Sequence, residues 1–146
     1  MDSSPFDSTP NPGQTSLALL LIRIAAGLAF LYHGSAILFG AFGGPGPQGF
    51  AQFMHAPDIV GYLVGLAEFG GGLAILTGIF IRIGALCVVA VMLGAIFMVH
   101  ISHGFDISKG GYEYALALLL IALALLIAGG GGFSLGSILP GGLRKL

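Results

Sequence analysis

Charge is what this sequence has least of. Only 8% of its 146 residues are Asp, Glu, Lys or Arg, against about 25% in ordinary soluble domains. Five basic and six acidic side chains leave a formal charge of -1. That excludes the basic footprint with which proteins hold nucleic acid by neutralising phosphates. A single cysteine excludes an intramolecular disulfide framework and any dithiol relay within the chain. The 26 glycines and 7 prolines keep no Gly-X-Y period, which excludes a collagen-like rod. What is present is apolar: 56% of the residues are hydrophobic, and the mean hydropathy is +1.01. Such a chain has lipid as its solvent, and its length suits one domain.

A helix needs ~20 mostly apolar residues to cross the ~30 Å hydrocarbon layer. Four segments qualify, at about 17–39, 58–79, 82–100 and 112–128. Their apolar runs are continuous rather than alternating, and four strands would be too few to close a barrel. The expected fold class is therefore all-α, an integral membrane four-helix bundle. Residues 1–16 are polar, rich in Pro and Ser and free of basic side chains, and read as a flexible tail. No positive n-region with a small-residue cleavage site precedes the first span, so that span is expected to stay in the mature protein.

The loop 41–57 is the longest connection, and its Gly43-Gly44-Pro45-Gly46-Pro47 stretch should break any helix. Phe50, Phe53 and Met54 could then lie on the membrane surface as one amphipathic turn. The link at 80–82 is so short that spans two and three should be antiparallel neighbours. Residues 140–146 form a short basic tail. Arg23, Arg82, Arg144 and Lys145 fall on the side of the two termini and only Lys109 on the other. The positive-inside rule therefore places both termini in the cytoplasm.

An ionisable group inside a span is costly in lipid and usually faces protein or a cavity. Glu68 lies ten residues into the second span, ~15 Å from its outer end. It shares a stripe with Gly61, Gly65, Gly72 and Ile75 by the i, i+4, i+7 rule, and glycines admit a close neighbour. Glu68 should thus point into the bundle. Arg23, on a stripe with Gly27, Phe30 and Gly34, is the expected counter-charge across a ~7 Å axial gap. The pair reads either as a structural ion pair that fixes helix register or as a cation that poises a functional carboxyl.

His33, His100 and Glu113 place further polar groups in the outer half of three spans. Glu113 shares a stripe with Ala117, Leu120 and Ala124. Together with Glu68 they form the candidate catalytic set, with His33 and His100 as candidate cofactor contacts. Such a pocket could hydrogen-bond a quinone head group or exchange protons with it. The plainer reading makes these residues interfacial anchors of helix ends. Haem ligation by His33 and His100 is disfavoured, because their depths differ by about a turn. His100-x-x-His103 is not read as a metal site, since adjacent histidines at a helix end are usually solvated. Cys87, amid aliphatics, reads as an unreactive packing residue. Gly129–Gly132 reads as a helix terminus rather than a phosphate loop, because no Gly-x-x-x-x-Gly-Lys-Ser/Thr pattern is present.

Several short runs resemble the DoxX family. They are Arg23, the Tyr32-His33-Gly34 triplet before Leu38-Phe39-Gly40, and Leu66-Ala67-Glu68-Phe69-Gly70-Gly71-Gly72. Arg82, His100, Gly110-Gly111-Tyr112-Glu113-Tyr114 and the stretch from Gly131 to Leu135 add to the match. The resemblance implies a four-helix bacterial inner-membrane protein. Some such proteins are the membrane subunit of thiosulfate:quinone oxidoreductase, and others associate with redox or stress-response enzymes. Where the family often carries a lysine and, near the end, an aspartate, this chain has Ile37 and Gly136.

The expected function is a redox-associated membrane subunit that offers a quinone or small lipophilic carrier a site near His33, Glu68, His100 and Glu113. Its expected partners are the lipid bilayer and other subunits of a membrane complex, with no nucleic acid. No flavin, iron–sulfur or dinucleotide signature is present, so electron transfer would need a bound cofactor or a partner. The rival class is a non-catalytic accessory subunit. A small transporter ranks last, because no internal repeat or pair of broken helices is evident.

Overall fold

The computed structural model of the chain describes residues 10–141, and those residues contain no strand. Five α-helices follow in order: α1 (Pro12–Phe39), α2 (Gly46–Phe53), α3 (Asp58–Thr77), α4 (Ile81–Gly94) and α5 (Glu113–Ala128). The end of α4 continues directly into a π-helical segment, Ala95–His100, and a 3-10 turn, Ile101–His103. Three helical stretches are long and apolar enough to cross a membrane: Pro12–Phe39, Asp58–Thr77 and Ile81–His103. The expected fourth span is present as α5, but its 16 residues rise only ~24 Å, short of a full ~30 Å crossing.

Local chemistry moves several boundaries. α1 starts five residues before the expected span because Asn11 builds a reciprocal capping box with Gln14, two bonds of 2.9 Å each, ahead of Pro12 in the first turn. The polar tail therefore ends sooner than expected. Residues 1–9 lie outside the described residues, as do 142–146 with Arg144 and Lys145. The Gly/Pro stretch does not abolish helix either: α2 begins inside it at Gly46, with Pro47 in the first turn, where its missing N–H costs nothing. α3 ends at Thr77 rather than 79, where Gly78 takes a left-handed conformation (φ 75°).

Between α1 and α3 the backbones touch. A Cβ on Gly34 would collide with the backbone of Glu68 and Phe69, and one on Gly72 would sit 2.8 Å from the Leu31 nitrogen. Gly27 lies against Leu76, and Gly65 against Leu38. Within lipid no hydrophobic force drives helices together, so close van der Waals contact at small residues must do it. These contacts also fix the antiparallel register, with Gly34 level with Glu68. On its other side α3 meets α4, where Gly71 packs on Gly84 and Val88. α4 then packs on α5. α2 lies across the first turns of α3, with Gly61 against Pro47.

The two ends of the bundle differ. At the end that holds the start of α1 and the end of α5, the core is closed. Arg23, Ala26, Ile75, Ala85, Ala122 and Leu125 are each exposed by 1% or less. At the α2 end the helices splay around a cavity. Leu17, Leu21, Ile24 and Leu28 on α1, Leu63, Leu66 and Leu73 on α3, and Ile83, Leu86 and Leu93 on α4 are all exposed. Such outward apolar stripes are what a lipid-facing surface requires.

Candidate functional site

Glu68 sits where its stripe predicts. Gly61, Gly65, Glu68, Gly72 and Ile75 form the buried face of α3 together with Gly71, and Glu68 itself is 6% exposed. Its carboxylate Oε2 is buried without a hydrogen-bond partner among the described residues. A buried polar oxygen left unpaired costs about 1–3 kcal/mol, so a fold that retains one carries a cost that packing alone does not explain.

The expected counter-charge is elsewhere. Arg23 forms no ion pair with Glu68; among the described residues the only salt bridge joins Lys109 to Asp106, at 4.0 Å. The Arg23 guanidinium instead donates to four backbone carbonyls. Nε reaches Ile75 at 2.9 Å, Nη2 reaches Leu76 at 2.8 Å, and Nη1 reaches Gly130 and Phe133 at 2.9 Å each. Ile75 and Leu76 lie in the last turn of α3, whose carbonyls have no helical partner. A planar fork of donors there satisfies them and complements the negative end of the helix dipole. Arg82 does the same for α5, donating to Leu126 at 2.7 Å.

The cavity at the α2 end has a volume of about 980 Å³ and is walled by α1, α2, α3, α4 with its π-helical segment, α5 and the loop before α5. Its lining is mostly apolar, with Phe30, Ile37, Phe50, Met54, Val64 and Leu118 among the contributors, and it includes His33, Glu68 and His100. Three of the four proposed catalytic positions therefore share one chamber. The register of α1 on α3 places His33 within ~3 Å of the level of Glu68, since one residue rises 1.5 Å. Both line the cavity above Phe30, Glu68 buried at its floor and His33 exposed at its edge.

His100 stands at the mouth, roughly 15–20 Å further out by helix rise. A small head group that reaches His33 therefore does not also reach His100, although both line the cavity. His100 Nδ1 lies 2.7 Å from the Gly110 carbonyl oxygen. A carbonyl only accepts, so Nδ1 carries the proton and donates. In the neutral ring Nε2 is then left as an acceptor.

Glu113 is not part of the site. It is exposed, as are Ala117, Leu120 and Ala124 on its stripe, and its Oε2 accepts from the Ile107 backbone N–H at 3.2 Å. The inward stripe of α5 is Ala115, Leu118, Ala122 and Leu125. The apolar run of this helix conceals which face is buried, because almost every position is aliphatic.

Other lining residues were not legible in the sequence. Cys87, expected to be mere packing, lines the cavity, as does Tyr114. The packing of Gly71 on Gly84 and Val88 places Cys87 within about one turn of the level of Glu68. The π-helical segment contributes Ala95, Met98, Val99 and His100 to the wall; such insertions recur at functional sites. Among the described residues no three His, Cys, Asp or Glu side chains are placed to hold a metal ion.

A membrane helical bundle with a lipophilic chamber and a buried acid at its floor is the class of protein that these features define. The family model DoxX matches residues 18–101, more than half of the chain, and the protein belongs to the DoxX family. A Bacillus subtilis (strain 168) protein named "Putative oxidoreductase CatD" is 28% identical over 112 residues, covering 75% of this chain and 78% of that relative. No solved structure matches the chain.

Proposed function

We propose that this chain is a redox-associated membrane subunit whose cavity holds a quinone or another small lipophilic carrier. The observation that carries this reading is the unpartnered Glu68 Oε2 at the floor of a mostly apolar chamber of about 980 Å³. That volume lies at the upper end of those of small-molecule sites, which combine apolar walls with a few polar groups. A carbonyl- or hydroxyl-bearing head would reach Glu68 and His33, while a tail would lie among Phe50, Met54, Val60 and Val64. Such a carrier brings the electron chemistry, which no side chain of this protein supplies. Glu68 and His33 would orient the head and hold or move its proton.

The relative's name, an oxidoreductase, agrees in direction. We place the chain in a bacterial cytoplasmic membrane, with both termini inside. Since Arg23 is committed within the bundle, the charge bias behind that orientation rests on Arg82, Arg144 and Lys145 against Lys109.

Purification in mild detergent, followed by organic extraction, mass spectrometry and an absorption spectrum, tests the reading. A stoichiometric quinone or other redox-active lipid is the expected result. The reading fails if no such molecule is recovered and none binds on addition. A second reading, a non-catalytic accessory subunit, draws on Gly70, which is exposed and has open space where a Cβ would stand, as a helix-docking surface would. Glu68→Gln separates the two. Lost turnover in an intact complex favours chemistry, whereas lost assembly favours scaffolding.

A further inference from the structure

We infer that the cavity communicates with one side of the membrane only, the side on which α2 lies, and that Glu68 exchanges its protons with that side. The inference deepens the reading above. It rests on that reading for the claim that Glu68 meets a ligand, though not for the route of access.

The first ground is where the lining stops. The deepest lining residues are Phe30 on α1, Glu68 on α3, Cys87 on α4 and Leu118 on α5, which form a layer one to two turns thick across the bundle, with Phe30 about a turn beneath Glu68. Every other lining residue lies on the α2 side of that layer. Beneath it Ala26, Ile75, Ala85, Ala122 and Leu125 are packed to 1% exposure or less. Interiors at that density leave no room for a file of water.

The second ground is the distribution of polar groups. A proton moves along groups that can both give and accept it. Towards the α2 side such groups are present: His33 beside the floor, then Tyr114 and His100 in the wall. Towards the terminal side the next polar side chain is Arg23. Its guanidinium is committed to four carbonyls, and arginine does not release its proton in proteins. A proton that Glu68 gives to a bound carbonyl must therefore be replaced from the α2 side, and one that it takes from a bound hydroxyl must leave to that side. A lipophilic ligand arrives from that leaflet, beneath Phe53 and Met98, which line the cavity and are 65% and 73% exposed.

The chain's single cysteine is already placed to report this, because Cys87 lines the same chamber. Full-length protein is reconstituted into phosphatidylcholine/phosphatidylglycerol vesicles, with orientation scored by protease removal of a terminal tag. A membrane-impermeant sulfonated thiosulfonate is then applied from one side or the other, and the Cys87 adduct is followed by mass spectrometry. Modification at least about tenfold faster from the α2 side is expected, as thiol reactivity follows access. Equal rates from both sides, or faster modification from the terminal side, overturn the inference. So does a thiol that reacts from neither side until the protein is unfolded.

A Glu68→Cys variant in a Cys87→Ala background should show the same sidedness at the proton-exchanging position itself. Native Cys87 keeps the test decisive if that variant does not fold. The two readings fail separately. One-sided labelling without any bound carrier removes the carrier and leaves the access route. Two-sided labelling with a bound carrier does the reverse.

Discussion

Arg23 donates from Nε to the Ile75 carbonyl at 2.9 Å, and that bond ties the first membrane helix to the last turn of α3. The same guanidinium reaches past α5 to Gly130 and Phe133. One side chain thus holds three segments of the chain that are far apart in sequence. Its charge is matched by carbonyl dipoles rather than by an acid, which leaves Glu68 without an ion-pair partner among the described residues.

Loss of this clamp should destabilise the closed end of the bundle. Hydrogen bonds to a charged group are worth about 1.5–3 kcal/mol each, and buried carbonyls left bare carry a further cost. Arg23→Lys keeps the charge but not the planar fork and is expected to cost about 2–3 kcal/mol. Arg23→Met should cost more. Denaturation of purified protein in detergent, followed by circular dichroism, checks both; an Arg23→Met variant as stable as the parent contradicts the role.

Glycine positions on α1 and α3 should respond in opposite directions. At Gly34 a Cβ meets the backbone of Glu68 and Phe69, which cannot move away as a side chain could. Gly34→Ala is expected to part the two helices at a cost of about 1–3 kcal/mol or more. Gly70 has nothing within 4 Å of a Cβ. There Gly70→Ala should be neutral or should stabilise by up to ~1 kcal/mol through helix propensity alone. Thermal shift measurements on the two variants make the comparison, and equal losses would show that the close approach is not as described.

Glu68 should trade stability for binding. A buried polar group left unpaired carries a desolvation cost that an apolar side chain of similar size does not. Glu68→Leu is therefore expected to raise stability by about 1–3 kcal/mol while abolishing retention of the carrier. Detergent melting curves and lipid extraction from the same preparation read both quantities. A destabilised Glu68→Leu protein would mean that the carboxyl makes bonds that stabilise the fold.

The loop that carries the mouth of the cavity should depend on pH through Asp106. Its Oδ1 accepts from the Ser108 hydroxyl at 2.8 Å and from the Ser108 backbone N–H at 2.9 Å. These bonds, the hydroxyl's first, hold the Asp106 carboxyl below the usual carboxylate range. A depressed value in the fold means that the stabilisation is complete above the unfolded value, about 3.9, and is lost as pH falls through the lower folded value. Hydrogen exchange at the Ser108 amide should accordingly lose protection only in strong acid. Asp106→Asn, which keeps an accepting oxygen but not the charge, should flatten that dependence. Unchanged protection throughout the acid range would count against the turn.

Much of the architecture was legible because hydrophobic length and glycine spacing are local properties. The buried stripe of α3 could be read from Gly61, Gly65, Glu68 and Gly72, since residues three, four and seven apart share a face whatever surrounds them. The same rule failed at Glu113. In α5 aliphatic residues occupy every side, so no pattern separates the face toward protein from the face toward lipid. The early start of α1 lies in the capping box of Asn11 and Gln14 and not in the apolar run. Hydropathy drew the boundary there, and a cap is polar.

The chain by itself determined that it would live in lipid, that it would be helical, and that an acid would be buried in its second long helix. Each follows from composition or from spacing along one helix. Only the tertiary structure decided that Arg23 would turn to Ile75 and Gly130 and not to Glu68, and that His33 and not His100 would share its level. It also decided that Cys87 would face a chamber. These outcomes depend on the register between helices, which is set by where glycines allow two backbones to meet. They depend as well on which carbonyls a helix leaves bare at its end, and neither is encoded within a single segment.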